Sequence, residues 1–589
     1  MSGIPRSEHP RPQFQRAEWV CLNGEWEFEI DQEDDGLENG IRERELKQRI
    51  VVPFCPESEL SGIGQVDFIN AVWYRKRTVV PSEWAGKKAL LHFQAVDYDA
   101  TVWVNGVELA RHRGGWTPFS CDLDGVAAPG EEAEIVVRAR DLRGTDRPAG
   151  KQSNHRPDNA GCHYTRTTGI WQTVWMEAVP KRAQLLRPRI TPDYANSRFI
   201  LVQPIRGDQA GLTFRAVLSD ENDAALAGCA ADLDLNPTLI LDVPPDKARL
   251  WSTEDPHLYD LRLTLIDENG AVVDEASSYA GLRSISIDGP AVKINGKPVF
   301  QRLVLDQGYY PDGIMTAPTD AALIEDIQLS IEAGFNGARL HQKVFEERFL
   351  YHADRLGYLC WGEFGDWGIN RGDPRAGYIT EWMEVLERDY SHPSIVGWCP
   401  LNETGGQSID DRITGLDDLT RGLFLAAKAI DQSRPVLDTS GYAHRIRESD
   451  IYDCHDYDQN PESFKKRHDG LADGNPHYNG PTDKPWSIPH AGQPFFVSEF
   501  GGTWWQPQAV EGDSWGYGKN PENIEEFYER FEALCAALLD NPLMFAYCYT
   551  QLTDIFQEQN GVYHFNRAKK FDMKRIREAQ RRIAAIEKT

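Results

Sequence analysis

From about residue 298 to the C-terminus, short apolar runs alternate with amphipathic stretches of helical period, and few folds accept that rhythm. Eight strand-like runs lie near 298–305, 335–340, 358–362, 394–400, 435–439, 451–454, 494–498 and 543–549. Runs apolar on both faces suit a parallel sheet covered on both sides, not a half-solvated antiparallel one. Between them, Leu323, Ile327 and Ile331 form one stripe that stops at Gly334, and Phe345, Phe349 and Ala353 form another before Gly357. Glycine is the residue that most readily ends a helix in the left-handed conformation. A final helix starts near 572. This pattern predicts a C-terminal (β/α)8 TIM barrel over 290–589.

In such a barrel the C-terminal strand ends share one face, where the chemistry is kept. Two runs end in glutamates, Ser394-Ile395-Val396-Gly397-Trp398-Cys399-Pro400-Leu401-Asn402-Glu403 and Pro494-Phe495-Phe496-Val497-Ser498-Glu499, so Glu403 and Glu499 are expected to meet despite their separation in sequence. Around them the first run leaves Asp306 and Gln307, the second Arg339 and His341, the third Glu363, and the fourth Asn402. The sixth ends in His455-Asp456-Tyr457, the seventh is backed by Trp504 and Trp505, and the eighth gives Tyr549, Gln551 and Asp554. Carboxylates, amides and aromatic planes on one face suit a sugar, because hydroxyls need paired donors and acceptors while ring C–H faces need stacking. Most of the 17 Trp and 21 Tyr are expected in cores, Trp116 and Trp171 among them. For Arg339 the competing reading is a salt bridge at the far end of the barrel, which its place after a strand disfavours.

A chain of 589 residues exceeds what one core organises, and the upstream half reads differently. Residues 1–182 show only alternating strand segments, with Asn105-Gly106 between two of them predicting a tight hairpin turn, and are read as a β-sandwich that could alone be a lectin-like binding module. Residues 183–289, with runs at 211–218 and 258–265, are read as an immunoglobulin-like β-sandwich lacking a disulfide.

The formal charge of −28, from 63 basic and 91 acidic residues, argues against nucleic acid and anionic membranes as partners. The ten cysteines show no metal-ligand spacing and are expected as reduced thiols. No signal-peptide core follows Met1 and no apolar run is long enough to span a membrane, so a cytoplasmic location is expected. Oligomerisation of identical chains is left open.

Several phrases together resemble glycoside hydrolase family 2, the group of β-galactosidases, β-glucuronidases and β-mannosidases. They are Gly169-Ile170-Trp171-Gln172-Thr173-Val174-Trp175, Leu250-Trp251-Ser252 through Asp255-Pro256 to Leu258-Tyr259, Asn295-Gly296-Lys297-Pro298, Asn402-Glu403 and Ser498-Glu499-Phe500-Gly501. The resemblance implies jelly roll, immunoglobulin-like domain and barrel in that order, and a retaining exo-β-glycosidase with Glu499 as nucleophile and Glu403 as acid/base. It further implies that Asn402 faces the sugar 2-hydroxyl and that Arg339 and Tyr457 hold Glu499 ionised and aimed. Asp306, Gln307, His341, Glu363, Trp504 and Tyr549 complete the expected substrate contacts. Where galactosidases and glucuronidases carry Asn-Arg/Lys-His-Glu after the first strand, this chain has Leu305-Asp306-Gln307-Gly308, which weakens any transfer of sugar specificity. The Asn-x-Lys clamp of glucuronidases has no clear match, since Asn566-Arg567-Ala568-Lys569 belongs to a more general tail. A galactosidase-like specificity is therefore placed first. A glucuronidase, mannosidase or arabinosidase, or a silent carbohydrate-binding protein, remain alternatives. No cofactor is expected, and no metal, because Glu363-Phe364-Gly365-Asp366 offers no histidine beside its carboxylates.

Overall fold

The computed structural model describes residues 3–588 except 145–146, 154, 221–224, 233–236, 368–376, 413 and 508–512. Residues near the N-terminus form two antiparallel sheets. One has six strands, in the order Gln48–Val52, Gly24–Ile30, Ala71–Val79, Glu132–Arg140, Asp99–Val104 and Val107–Arg113. The other has four, ordered Trp19–Cys21, Val174–Pro180, Lys87–Phe93 and Phe119–Asp122. Their inner faces bury Trp26, Phe28, Val102, Ile135, Leu91 and Met176 in one core. Asn105 and Gly106 both take positive φ (48° and 79°), as a primed two-residue hairpin turn demands. Trp116 and Trp171 are buried, as expected of core residues, and pack edge to face.

A second β unit pairs Ala225–Asp232, Thr213–Ser219, Tyr259–Ile266 and Val272–Ala280 in one sheet, and Arg189–Asp193, Arg198–Val202 and Thr238–Asp242 in another. Phe199, Leu201, Phe214, Leu241 and Leu263 fill the space between them. It is fastened to the C-terminal half by Arg283, buried, whose guanidinium donates to the carbonyls of Pro393 (2.5 Å) and Ile395 (2.7 Å).

The C-terminal half contains β1 (Gln301–Asp306), β2 (Gly337–Leu340), β3 (Leu359–Glu363), β4 (Ile395–Cys399), β5 (Tyr452–Asp456), β6 (Phe495–Phe500) and β7 (Met544–Tyr549). All pair in parallel, in the order β4-β3-β2-β1-β7-β6-β5, a curled sheet that fits a TIM barrel. Seven of the eight expected runs are strands of this sheet. Helices α1 (Asp320–Ala333) and α2 (Glu347–Leu356) end at Gly334 and Gly357 in the left-handed conformation, and the final helix (Met573–Gln580) starts from an Asp572 cap. Phe345 precedes α2 instead of lying in it, and packs on Phe349 at 4.6 Å.

The exception is the run near 435–439. Its outer edge follows β4 through isolated bridges, Trp398 to Val436 and Asn402 to Ser440, but no ladder joins it to β5. Pro435 lacks an N–H, and the His444 ring stands where ladder bonds would run, with Nε2 3.1–3.2 Å from the backbone O and N of Asp453. Its Nδ1 meets Asp438 at 2.8 Å. Burial alone would push this imidazole down, yet Asp438 and Asp453 overcome that and raise it to about 10. A raised folded-state value contributes stability that is fully present below about pH 6.5 and is lost as pH rises through about 10. His444→Gln should therefore flatten the alkaline fall in unfolding free energy measured by urea titration at pH 6 to 10. An unchanged slope would contradict a charged imidazole at this position.

All ten cysteines are free thiols. Among the described residues no helix is long and apolar enough to cross a membrane.

Candidate active site

The strand ends bring Glu403 and Glu499 together. Glu403 lies just beyond β4 with φ +47°, a conformation a non-glycine residue rarely adopts, and its N–H is held by the Ser440 carbonyl at 2.8 Å. That backbone turns its partly exposed carboxylate toward the neighbouring strands. Glu499 belongs to β6 and is 4% exposed. One oxygen from each carboxylate and one ring nitrogen of His455 all lie within 4.8 Å of one another.

Arg339, at the end of β2 and 1% exposed, organises the floor. Its guanidinium donates to Glu363 (2.5 Å), to Glu499 Oε1 (3.2 Å), to the Ser498 carbonyl (2.5 Å) and to Asn402 Oδ1 (3.2 Å). The planar fork suits this task, since its donors leave in fixed, divergent directions. Asn402 thus accepts from Arg339 through its amide oxygen. His341 bridges the same carboxylates, with Nδ1 3.1 Å from Glu363 and Nε2 3.8 Å from Glu499. Burial pushes its imidazole well below the usual range, so it is neutral. Glu363 thus does have a histidine beside it, contrary to the sequence expectation, but Arg339 already neutralises that carboxylate.

Tyr457 donates its phenol to Glu499 Oε2 and lies 3.2 Å from Thr550 Oγ1. Its ring is stacked on Tyr517, with centroids 3.4 Å apart and planes 6° from parallel. His455 Nδ1 approaches Glu403 Oε1 at 2.8 Å and Glu499 Oε2 at 3.5 Å. Burial opposes charge on this imidazole, yet Glu499 and Glu403 more than offset it and raise its pKa. Burial would likewise raise Glu499, but the cations around it, His455 foremost and Arg339 with it, bring it down to about 2. A carboxylate so held is ionised at any physiological pH.

Of the other residues singled out in the sequence, Gln307 is buried. It donates to Tyr164 (3.1 Å) and to Gln551 (2.6 Å). Asp306 is buried but turns away: its carboxylate accepts from the Gly308 N–H (2.9 Å), and burial with nearby Asp326 pushes it up to about 7. Trp504 and Tyr549 do not join the pair. Tyr549 packs outward on Phe500 and Phe531, at 5.5 and 5.0 Å, with its hydroxyl buried. Trp504 donates through its indole to Ser514 (3.3 Å) and through its backbone to Tyr517, so it supports the stacked tyrosine instead of lining the cleft.

Sequence reasoning gave no role to His455, Tyr517, Tyr442 or the first β unit's contribution. His455 had a signal available: it lies two residues from Tyr457 on one strand edge, and period-two alternation puts both on one side. The upstream contribution had none. Gly150 donates to the Gly365 carbonyl (2.8 Å), the Gly161 carbonyl accepts from Trp515 and Gln557, and Tyr164 donates to Glu558. This loop carries Lys151, whose ammonium stands 5.4 Å from the Trp367 ring. Burial opposes its charge, while Glu558, Glu499 and Glu403 help to raise its pKa.

Two family models match the chain. Residues 20–176 match the sugar binding domain of glycosyl hydrolases family 2, and residues 206–283 match a second domain of the same family. The chain is a glycoside hydrolase that carries two family 2 domains. Among curated relatives of this β-glycosidase are a β-glucuronidase of Paenibacillus borealis, 25% identical over 445 residues, and a β-galactosidase of Thermoanaerobacter pseudethanolicus, 24% identical over 415 residues. The first match covers 70% of this chain and 72% of that protein; the second covers 67% of this chain but only 52% of the relative. Among solved structures, a β-glucuronidase from Ruminococcus gnavus in complex with N1-substituted uronic isofagomine superposes with a TM-score of 0.79 at 20% identity. That superposition covers 96% of this glycoside hydrolase and 98% of the other chain, and concerns the fold.

Proposed function

We propose that this family 2 enzyme is a retaining, exo-acting β-glycosidase of three units, 1–182, 183–289 and 290–589, with Glu499 as nucleophile and Glu403 as acid/base. The observation that carries the reading is the approach of the two carboxylates to within 4.8 Å. Retention needs carboxyl groups about 5–5.5 Å apart, whereas inversion needs about 6.5–9.5 Å to admit a water between them. Glu499, ionised and aimed by Arg339 and Tyr457, attacks the anomeric carbon while Glu403 protonates the departing oxygen. In the second step Glu403 takes the proton of the attacking water. The amide NH2 of Asn402 meets the sugar 2-hydroxyl, a contact that strengthens in the oxocarbenium-like transition state. Glu403, His455 and Glu499 have the spacing to share an ion, but a cation there would fill the space that the anomeric carbon must enter. The mechanism therefore keeps the trio metal-free.

For the sugar, a galactoside is placed first. The tail at 566–569 supports this, because Lys569 pairs with Glu332 of α1 on the exposed side, far from a role as a carboxylate clamp. A glucuronide is the second reading, favoured by the buried Lys151 ammonium, whose charge Glu558, Glu499 and Glu403 support. A panel of nitrophenyl β-glycosides decides: the galactoside should be hydrolysed at least tenfold faster than the glucuronide. The reverse order would transfer the sugar assignment to the uronate, and no turnover of any member would overturn the enzyme mechanism.

A further inference from the structure

Beside His455, which contacts Glu403 at 2.8 Å, stand aromatic rings that the mechanism above does not use. Tyr442 follows the bridged 436–440 segment, with φ +53° and its N–H directed to Asn479 Oδ1 (3.4 Å). Its ring lies 5.9 Å from that of His455 and 5.9 Å from that of Trp486, tilted 53° to the latter. Burial, and then the charges of Glu403 and Glu499, push its phenol above the usual range, and the His455 ring that it meets lies 2.8 Å from Glu403 Oε1. Both Tyr442 and Trp486 remain half-buried.

The wall is a built feature. The Asn479 side chain is fixed at both ends by His455, accepting from its N–H at 2.9 Å and donating to its carbonyl at 2.9 Å. Ser487 ties the same loop to His444 and Tyr442 at 3.0 and 3.1 Å, and Ile488 donates to the His444 carbonyl at 2.9 Å. The Arg445 guanidinium, fully buried, joins the carbonyls of Gln407, Ser408 and Trp486 at 3.2–3.3 Å, so the loop after Glu403 and the loop carrying Trp486 share one clamp. Residues held in a sparsely populated backbone region by so many bonds are characteristic of positions where geometry is functional.

The acid/base touches the glycosidic oxygen, so whatever lies beyond it contacts the leaving group. We propose that Tyr442 and Trp486 form the leaving-group subsite and select aglycones with a flat apolar face, either an aromatic ring or the C–H face of a second pyranose. The inference rests on the assignment of Glu403 as acid/base. Rings tilted against each other leave a corner in which a flat group stacks on one and meets the edge of the other.

The test compares kcat/KM of the wild type with Trp486→Ala and Trp486→Phe on methyl, 4-methylphenyl and glucosyl β-glycosides of the sugar that the nitrophenyl panel selects. Dividing variant by wild type for each substrate cancels leaving-group reactivity. Trp486→Ala should lower the 4-methylphenyl or glucosyl ratio roughly threefold to tenfold further than the methyl ratio, the scale of one aromatic stacking contact. Trp486→Phe should recover most of the difference. A deficit confined to the 4-methylphenyl substrate identifies an aromatic aglycone, and one confined to the glucosyl substrate a second sugar. Equal ratios for all three substrates would overturn the subsite. Failure of the underlying assignment is recognised separately, because Glu403→Ala would then lack rescue by azide.

Discussion

Replacing Glu403 with alanine will split the reaction into two halves that respond oppositely to the leaving group. On the proposed assignment the variant lacks the acid that assists departure and the base that activates water, each contributing about 10²- to 10⁴-fold. Dinitrophenyl glycosides need little acid help, so glycosylation of Glu499 should survive and the covalent intermediate should accumulate. Azide needs no base and should restore turnover on these substrates, releasing a β-glycosyl azide with retained configuration. Alkyl glycosides, which still need the acid, should stay nearly inert with or without azide. Proton NMR of the azide product reads the anomer directly. An α-azide would mean direct attack on the substrate from the nucleophile's side, and the roles of Glu403 and Glu499 would have to be exchanged. The 2.8 Å contact between His455 and Glu403 leaves this imidazole beside the position that the alanine vacates.

Glu499→Gln is expected to have the largest effect of any single change. Turnover should fall by on the order of 10⁵ to 10⁶, the scale on which removing the nucleophile of a concerted catalytic unit acts. The amide keeps the shape of the carboxylate and its one oxygen can still accept from either Arg339 or Tyr457, which Glu499 meets through Oε1 and Oε2 respectively, so the fold should stay close to wild type and the sugar affinity should fall far less than turnover. Calorimetry of binding beside the glycoside assay separates these quantities. Retention of more than a hundredth of the wild-type rate would be incompatible with a nucleophile at this position.

Much of the barrel was readable from local pattern, and what was missed had a physical cause. Apolar runs bounded by turn formers located every strand of the parallel sheet, because a strand covered on both faces carries its signal within itself. The run at 435–439 carried the same signal but lost its inner ladder to Pro435 and to the ring of His444, a residue beyond the run itself. Arg339, Asn402 and Tyr457 are next to the glutamates because strand ends fix their position. Which way a ring turns is set by neighbours distant in sequence, and Tyr549 turned toward Phe531 of the helix Ile524–Leu539 instead of the cleft. Lys151 and Tyr164 reach the site from a β unit roughly a whole domain upstream of the barrel, and no spacing within the barrel announces them.

The proposed mechanism turns on the formation of a covalent bond between Glu499 and the sugar. A 2-fluoro glycosyl fluoride of the accepted sugar slows breakdown of that bond more than its formation, and mass spectrometry of a digest of the inactivated enzyme locates the adduct. One label per chain is expected, on the peptide containing Ser498-Glu499-Phe500, with Glu403 unmodified. Full inactivation with Glu499 free and the label on another carboxylate would contradict the assignment of the nucleophile.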